Sequence, residues 1–287
     1  MLHAGFVGTG NMGGPMAANI LKAGHRLTVY DTRTEATVEL ERQGAVRASG
    51  LPALAREVRV TFLSLPDERV VESVVAGGEG LLAGARDGDV IFDLSTVSPE
   101  STPRLAARAA QRGVRLIDAP VSGSVSGARA GTLAVMIGAA REAVTPWTPI
   151  FRAIGASIFH LGEIGLGNTL KLLNNYVALA NQATLCEAMA LADRLGVKRQ
   201  TVTEVLSKSS GASFILERKG AAIAAHDYRA GFFIDLARKD LGLALALAEL
   251  AGARAALGRE AWQLYGEASQ KGFGTLDSSG LLQLLEP

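Results

Sequence analysis

The segment GFVGTGNMGGPMAANILKAGH, residues 5–25, constrains the fold of this chain more than any other feature. It places Gly8, Gly10 and Gly13 between an apolar strand candidate and a helical stretch, and the next strand candidate ends at Asp31. Gly8 permits a tight turn, Gly10 lets the backbone approach a pyrophosphate, and Gly13 allows close packing of helix on strand. A glycine turn alone could simply join a strand to a helix. The strand, the helix and the acidic residue together predict a dinucleotide site.

Short apolar segments alternate with helical stretches through the first part of the chain. Strand candidates occupy residues 3–8, 26–31, 58–65, 89–95, 114–120, 132–138 and 157–162. This alternation predicts an α/β fold with a mostly parallel, doubly wound sheet of the Rossmann type. The later segments are all helical in pattern, at 164–195, 198–208, 213–225, 235–252, 256–271 and 277–285. We therefore predict a Rossmann-like domain over residues 1–163 and an all-α domain over residues 164–287.

The composition argues against several functional classes. The 29 basic and 28 acidic residues leave a net charge of +1, which does not favour a partner such as nucleic acid or a membrane surface. Polar residues that include Lys171 and Glu187 interrupt the apolar stretch 170–192, so it does not predict a membrane span. One cysteine, Cys186, fits a reducing compartment, and no signal peptide is evident, so we expect a cytoplasmic protein. We predict no metal site.

Residues in three turns are predicted to contact the same cofactor, because ligands bind beyond the carboxyl ends of parallel strands. The glycine turn adds Asn11 and Met12, the segment LSLPD adds Leu65 and Pro66, and the segment DLSTVSP adds Thr96. The two later turns could also be ordinary strand ends or helix caps.

The residues after the second strand candidate bear on the choice of cofactor. Asp31 can accept hydrogen bonds from the ribose 2′-hydroxyl of NAD and would repel a 2′-phosphate. Arg33, two residues later, could bind that phosphate or could be a solvated loop residue. The sequence therefore favours NAD and leaves NADP open.

The segment DAPVSGSVSGARAGTLAVMIG contains a polar turn at Ser122, Gly123 and Ser124. Consecutive backbone N–H groups and two hydroxyls suit a small carboxylate, although the same composition fits a flexible connection.

Two helical segments place polar residues within apolar surroundings. Lys171 and Asn175 are four residues apart, so they lie on one helix face, where the lysine either reaches water or lines a cleft. A desolvated lysine beside an oxidised nicotinamide could exchange a proton near neutral pH. Lys239 and Asp240 begin a stretch rich in alanine and leucine, and they are either surface charges or a lid on the cofactor.

Five segments resemble, in the same order, those of the β-hydroxyacid dehydrogenases, the family that includes 3-hydroxyisobutyrate dehydrogenase and tartronate semialdehyde reductase. The segments are GFVGTGNMGGPMAANILKAGH, DLSTVSP, DAPVSGSVSGARAGTL, GEIGLGNTLKLLNN and GFFIDLARKDLGLAL. They cover nearly the whole chain. The resemblance implies a Rossmann-like domain, a helical domain, use of NAD(P) and assembly as a homodimer or homotetramer.

The resemblance also implies roles for individual residues. Lys171 would be the catalytic proton donor or acceptor, and Asn175 would help to orient the substrate. Thr96 and Lys239 would contact the cofactor. The turn residues Ser122 and Gly123 would hold the substrate carboxylate. This chain departs from the usual Ser-Gly-Gly turn at Ser124, whose side chain could narrow the site or add a hydroxyl contact.

These expectations predict an NAD(P)-dependent oxidoreductase that interconverts a small 3-hydroxy acid and its semialdehyde. One alternative is an imine reductase of the same fold, although such enzymes usually carry Asp or Tyr where this chain has Lys171. The other alternative is a cofactor-binding interaction module without catalysis, but relatives of that kind lack the lysine.

Overall fold

A computed structural model of the chain describes residues 1–229 and 231–286. Its larger sheet is parallel throughout, with strand order β3-β2-β1-β4-β5-β6. The strands are β1 His3–Val7, β2 Arg26–Tyr30, β3 Val46–Arg47, β4 Val60–Leu63, β5 Val90–Asp93 and β6 Arg115–Asp118. The connecting helices are α1 Gly13–Lys22, α2 Val38–Arg42, α3 Leu51–Glu57, α4 Glu68–Ala76 and α5 Ser101–Ala110, with 3-10 turns at Thr34–Ala36 and Leu81–Ala83.

Apolar residues cover both faces of this sheet, because alternate strand residues point to opposite sides. On one face Phe6, Phe62 and Phe92 stack across neighbouring strands, with ring centroids 6.4 Å and 5.3 Å apart. On the other face Leu63 and Ile91 belong to a separate buried cluster. The predicted doubly wound α/β class is confirmed by this arrangement and by the relatives described below.

A second sheet of three strands follows the first. It contains β7 Val121–Ser122, β8 Leu133–Ile137 and β9 Gly155–His160, with β7 antiparallel and β9 parallel to β8. The intervening helices are α6 Ser124–Ala130, α7 Arg141–Val144 and α8 Thr148–Ile154, with a 3-10 turn at Thr145–Trp147. The strand candidates at 132–138 and 157–162 thus pair with each other in this second sheet and not with β6. Pro120, just past β6, has no N–H group to donate and instead accepts a hydrogen bond from Met136.

The remaining elements described in the chain are helical, apart from one isolated bridge between Phe233 and Asp277. They are α9 Leu166–Arg194, α10 Arg199–Ser207, α11 Phe214–Ala224, α12 Ile234–Leu250, α13 Ala256–Ala268 and α14 Leu282–Leu285, with a π turn at Ser269–Phe273 and a 3-10 turn at Ser278–Leu281. The predicted helix 256–271 stops at Ala268 as regular α-helix, and Gly272 in the π turn has φ +90°. A separate apolar core, which includes Met189 and Tyr265, packs these helices together.

The chain divides into two compact units, Met1–Lys171 and Leu172–Pro287. The sequence-based boundary, between residues 163 and 164, lies eight residues earlier, and it stays a prediction. No helix within residues 1–229 and 231–286 is long and apolar enough to cross a membrane.

Candidate active site

The glycine turn between β1 and α1 is shaped by backbone contacts that exclude side chains. Gly8 has φ +86°, and a Cβ there would lie 2.3 Å from the carbonyl oxygen of Ser64. A Cβ on Gly13 would lie 1.8 Å from the carbonyl oxygen of Gly8. At Gly10 the nearest atom to such a Cβ is a guanidinium nitrogen of Arg33, at 3.4 Å. The turn therefore has no room for a side chain at Gly8 or Gly13, whereas the backbone at Gly10 has free space beside it.

The start of α1 has the character of an anion-binding site. Within the described residues no side chain caps it, and its first turn contains no acidic residue. The positive end of the helix dipole and the N–H groups near Met12 therefore face the turn that holds Gly10 and Asn11. An open glycine in front of an uncapped helix fits the pyrophosphate of a dinucleotide.

Asp31 follows β2 and is tied to the glycine turn. Its Oδ2 accepts the backbone N–H of Thr9 at 2.9 Å, and its Oδ1 accepts that of Arg33 at 2.9 Å. The Nε atom of Arg33 lies 3.7 Å from Oδ1 of Asp31, and the arginine side chain is 63% exposed. Since each carboxylate oxygen can accept a further hydrogen bond, Asp31 retains acceptor capacity for a ribose hydroxyl.

The two later turns that the sequence assigns to the cofactor are joined by one side chain. Ser95 follows β5, and its hydroxyl accepts the backbone N–H of Leu65, after β4, at 2.9 Å. Pro66 and Thr96 are the next residues of the two turns. The structure thus brings the segments that contain Leu65, Pro66 and Thr96 to the same edge of the sheet.

The polar turn after β6 combines two unusual backbone conformations. Gly123 has φ +141°, and Ser124 has φ +63°, a left-handed conformation that residues with a side chain rarely adopt. The hydroxyl of Ser124 lies 2.8 Å from that of Ser126. Ser122 ends β7, so a rigid strand holds one side of the turn.

The backbone at the start of α9 donates hydrogen bonds to a buried carboxylate. Asp118, the last residue of β6, accepts the N–H groups of Gly165 and Asn168, each at 2.8 Å. Burial raises the pKa of the Asp118 carboxyl, and these N–H groups oppose that shift because they stabilise the carboxylate. The Oδ1 atom of Asn168 in turn accepts the N–H of Val97 at 3.1 Å.

Lys171 lies three residues further along α9. It is only 8% exposed, so the alternative in which its side chain reaches water does not hold. A buried lysine in a helix is uncommon, because the charge loses its hydration unless the surroundings are polar.

In the second unit, the side chain of Asn175 is held by two polar neighbours. Its Nδ2 donates to Oδ2 of Asp240 at 2.6 Å, and its Oδ1 accepts from Nδ2 of Asn174 at 3.0 Å. Asp240 is 2% exposed and also lies 3.0 Å from Nζ of Lys239. The carboxylate of Asp240 therefore connects Lys239 with Asn175.

Sequence reasoning assigned no site role to Asp118 or Asn168, and it offered Asp240 only as the partner of Lys239. Each forms a hydrogen bond with a residue that is distant in sequence. Asp240 and Asn175, for example, are 65 positions apart. The available signal was their position, because Asp118 ends a strand and Asn168 stands three residues before Lys171. Among the residues that the structure describes, no group of three or more His, Cys, Asp or Glu side chains could hold a metal ion.

Comparison with known proteins places this architecture in a family. Residues 3–162 match the model of the NAD-binding domain of 6-phosphogluconate dehydrogenase. Residues 165–285 match the model described as the NAD-binding domain of NADP-dependent 3-hydroxyisobutyrate dehydrogenase. The chain belongs to the β-hydroxyacid dehydrogenase family, as its motifs predicted, and is an NAD(P)-dependent oxidoreductase.

Individual relatives cover nearly the full length. The chain is 37% identical to 2-(hydroxymethyl)glutarate dehydrogenase of Eubacterium barkeri, over 99% of this chain and 95% of that protein. It is 38% identical to 3-hydroxyisobutyrate dehydrogenase of Pseudomonas aeruginosa, over 99% and 98%. The structure of Mycobacterium tuberculosis 3-hydroxyisobutyrate dehydrogenase with L-serine superposes with a TM-score of 0.88 at 31% identity, covering 100% of both chains.

Imine reductases are more distant. The structure of the Streptomyces aurantiacus enzyme has 21% identity and a TM-score of 0.68, over 99% of this chain and 100% of that one. This likeness shows the shared fold alone.

Proposed function

We propose that this protein interconverts a small 3-hydroxy acid and its semialdehyde, with Lys171 as the general acid and base. The observation that carries the proposal is the burial of Lys171, 8% exposed, one helical turn before Asn175. Asp240 fixes the amide of that asparagine. A buried cation next to an oriented amide is suited to moving a proton to or from a substrate hydroxyl.

The chain's own residues account for the proton in this reaction. When bound, NAD(P) accepts or supplies the hydride at the carbinol carbon of the substrate. In oxidation, Nζ of neutral Lys171 accepts the hydroxyl proton as the C–O bond becomes a carbonyl. In reduction, the ammonium form returns that proton to the oxygen, and its charge stabilises the developing alkoxide. The side chain of Asn175 orients the substrate so that its hydroxyl lies close to Nζ of Lys171.

We propose HOCH₂–CHR–COO⁻ as the substrate class, in which R varies. Three compounds named for relatives, 3-hydroxyisobutyrate, 2-(hydroxymethyl)glutarate and L-serine, share this unit. The turn at Ser122, Gly123 and Ser124 offers backbone N–H groups and hydroxyls to the shared carboxylate. We expect the hydroxyl of Ser124 to favour a polar R group.

We propose that NAD is the preferred cofactor. Asp31 is 9% exposed at its side chain, and its charge at the end of β2 would repel a 2′-phosphate. The guanidinium of Arg33 lies over Gly10 and is placed to neutralise the pyrophosphate. Titration with each cofactor tests this proposal, and tighter binding of NADP than of NAD would contradict it.

We propose a homodimer or homotetramer as the assembly. Val177 and Leu191 on α9, and Leu195 just after it, are 57%, 58% and 70% exposed. Apolar side chains in this number on one helix are typical of a surface covered by another subunit. Light scattering after size-exclusion chromatography would give the mass, and a monomer at micromolar concentration would contradict the proposal.

The decisive variant is Lys171→Ala. We expect kcat to fall by about 10²–10⁴-fold, because the general acid and base is lost, while cofactor affinity changes less than about twofold. The matched control is Lys208→Ala, which removes an exposed lysine just after α10 whose Nζ lies 3.2 Å from a carboxylate oxygen of Glu204. Near-normal turnover in Lys171→Ala would overturn the assignment.

A substrate panel separates the proposal from its alternatives. Purified protein is mixed with NAD or NADP and each of 3-hydroxyisobutyrate, L-serine, glycerate and 2-(hydroxymethyl)glutarate, and reduced cofactor is followed by absorbance. 4-Hydroxybutyrate, which has one more methylene group, serves as the length control. Cofactor binding without turnover of any compound would indicate a binding module, and turnover of cyclic imines alone would indicate an imine reductase.

A further inference from the structure

Asp118 has no access to solvent and yet carries a carboxylate. Each of its oxygens accepts a backbone N–H from the segment that begins α9, Oδ1 from Gly165 and Oδ2 from Asn168. Two hydrogen bonds on two different oxygens fix both the position and the rotation of this segment relative to β6. The carboxylate therefore acts as a fixed point for the first turn of α9.

The packing around the carboxylate of Asp118 is tight. A Cβ on Gly138 would lie 2.2 Å from Oδ1, and a Cβ on Gly167 would lie 2.7 Å from Oδ2. The same Cβ on Gly167 would lie 2.4 Å from the carbonyl oxygen of Met136 in β8. Glycines at these two positions let the carboxylate of Asp118, strand β8 and helix α9 pack closely. A displacement of the carboxylate would therefore displace β8 and the start of α9 as well.

Asn168 extends the connection to the turn after β5. Its side chain is fully buried, and its Oδ1 accepts the N–H of Val97. That turn also holds the turn after β4, through the bond between Ser95 and Leu65. A continuous set of hydrogen bonds thus runs from Asp118 through the start of α9 to both turns assigned to the cofactor.

We propose that Asp118 is a positioning residue that sets where α9 presents Lys171. This inference rests on the proposed function of that lysine. Lys171 is three residues beyond Asn168, so its Cα is about 4.5 Å further along the same helix axis. Because a misplacement of about 1 Å can cost about 100-fold in rate, a loosened first turn lowers the rate of reaction before it abolishes binding.

The test is Asp118→Asn, which keeps the size of the side chain. Asparagine has one oxygen, so its amide nitrogen must face the N–H of either Gly165 or Asn168. We expect the single-turnover rate of hydride transfer, measured by stopped flow at saturating cofactor and substrate, to fall by about 10–100-fold. Cofactor affinity and KM should stay within about threefold, and rates are referred to the concentration of cofactor-binding sites.

The matched control is Asp89→Asn. Asp89 is 5% exposed and immediately precedes β5, so it lies at the amino-terminal ends of the strands, whereas Asp118 lies at their carboxyl ends. Its carboxylate accepts the N–H of Arg86 at 2.7 Å and pairs with Arg59. We expect this variant to lose thermal stability, as Asp118→Asn does, but to keep the wild-type hydride-transfer rate. Equal rates in the two variants would overturn the positioning role.

A second variant keeps the proposal testable if Asp118→Asn does not fold. Asn168→Ala removes the acceptor for the N–H of Val97 and should also lower the hydride-transfer rate, by about 5–20-fold, at unchanged KM. A wild-type rate in that variant would overturn the proposal. The two assignments remain separable, because near-normal turnover in Lys171→Ala contradicts the role of the lysine. A slow Lys171→Ala with a wild-type rate in Asp118→Asn contradicts only the role of Asp118.

Discussion

Ser124 stands where the resemblance implies the last glycine of a Ser-Gly-Gly turn, and its backbone conformation is unusual for a residue with a side chain. It has φ +63°, where the Cβ of an L-residue approaches the following carbonyl oxygen. Only one other non-glycine residue in the described part of the chain, His226, has a positive φ. A strained residue that bears a hydroxyl, in a turn assigned to the substrate, suggests that the hydroxyl is retained for selectivity.

The variant Ser124→Gly separates strain from selectivity. Removing the Cβ relieves about 1–2 kcal/mol of strain and costs about 0.5–1 kcal/mol of backbone entropy, so the free energy of unfolding should rise by about 0.5 kcal/mol. The ratio of kcat/KM for L-serine to that for 3-hydroxyisobutyrate should fall by about 2–10-fold, because a polar contact is lost. Denaturant unfolding and steady-state kinetics measure the two effects.

Ser126→Ala is the control for Ser124→Gly, because it removes the partner hydroxyl at a residue without a positive φ. It should not increase stability. A Ser124→Gly protein that is less stable than the wild type, or that keeps the substrate ratio, would contradict this account.

Residue types that carry chemistry could be predicted from the sequence, whereas the residues that hold them could not. Lys171 and Asn175 stand out because polar residues in an apolar helix need a reason. Asp118 and Asp240 are ordinary acidic residues in the sequence, and their hydrogen bonds with Gly165 and Asn175 span 47 and 65 positions. Hydrogen-bond geometry over such separations depends on tertiary packing, which local patterns do not encode.

At the level of elements, α1, which we propose to bind the pyrophosphate, is connected to α6, which follows the proposed substrate turn. Asn19 of α1 donates from Nδ2 to the carbonyl oxygen of Ala128 at 2.7 Å and to that of Arg129 at 3.4 Å. These carbonyls lie at the end of α6, where that of Ala128 also accepts the backbone N–H of Gly131, at 3.4 Å. The side chain therefore fixes the end of α6 to α1.

The variant Asn19→Ala should loosen α6 without disturbing the glycine turn. We expect the free energy of unfolding to fall by about 1 kcal/mol, because the carbonyl of Ala128 loses the shorter of its two hydrogen bonds. KM for the hydroxy acid should rise by about 3–10-fold, a loss of about 1 kcal/mol of substrate binding, while the dissociation constant of NAD stays within twofold. Lys22→Ala, at an exposed position on the same helix, is the control for both measurements. If KM does not change, α6 is held sufficiently by its other contacts.

The helices were predicted more accurately than the sheets, for a physical reason. The 3.6-residue period of α9 is local, and its predicted range 164–195 differs little from Leu166–Arg194. The assignment of β8 and β9 to a second sheet depends on pairing across a helix-containing connection and on the chain direction after Pro120. A run of apolar residues indicates a strand but does not indicate which strand it pairs with.

At the scale of the whole molecule, each compact unit has its own apolar core and one of the two tryptophans. Trp147 packs on the core of the first unit, and Trp262 packs on that of the second. The glycine turn and Asp31 both belong to the first unit. Tryptophan fluorescence can therefore report on the two units separately.

NAD should stabilise the unit that contains Trp147 more than the unit that contains Trp262. A ligand that binds only the folded form, at 100 times its dissociation constant, adds about 2.7 kcal/mol to the free energy of unfolding. In the variant Trp262→Phe, which retains Trp147, we expect the denaturant midpoint to rise accordingly on addition of NAD. In Trp147→Phe, which retains Trp262, we expect less than half that stabilisation, because Lys239 is the one predicted cofactor contact that lies in the second unit. Asp31→Ala serves as the control that weakens the cofactor site. Equal stabilisation reported by both tryptophans would contradict the prediction and would mean that the two units unfold as one cooperative structure.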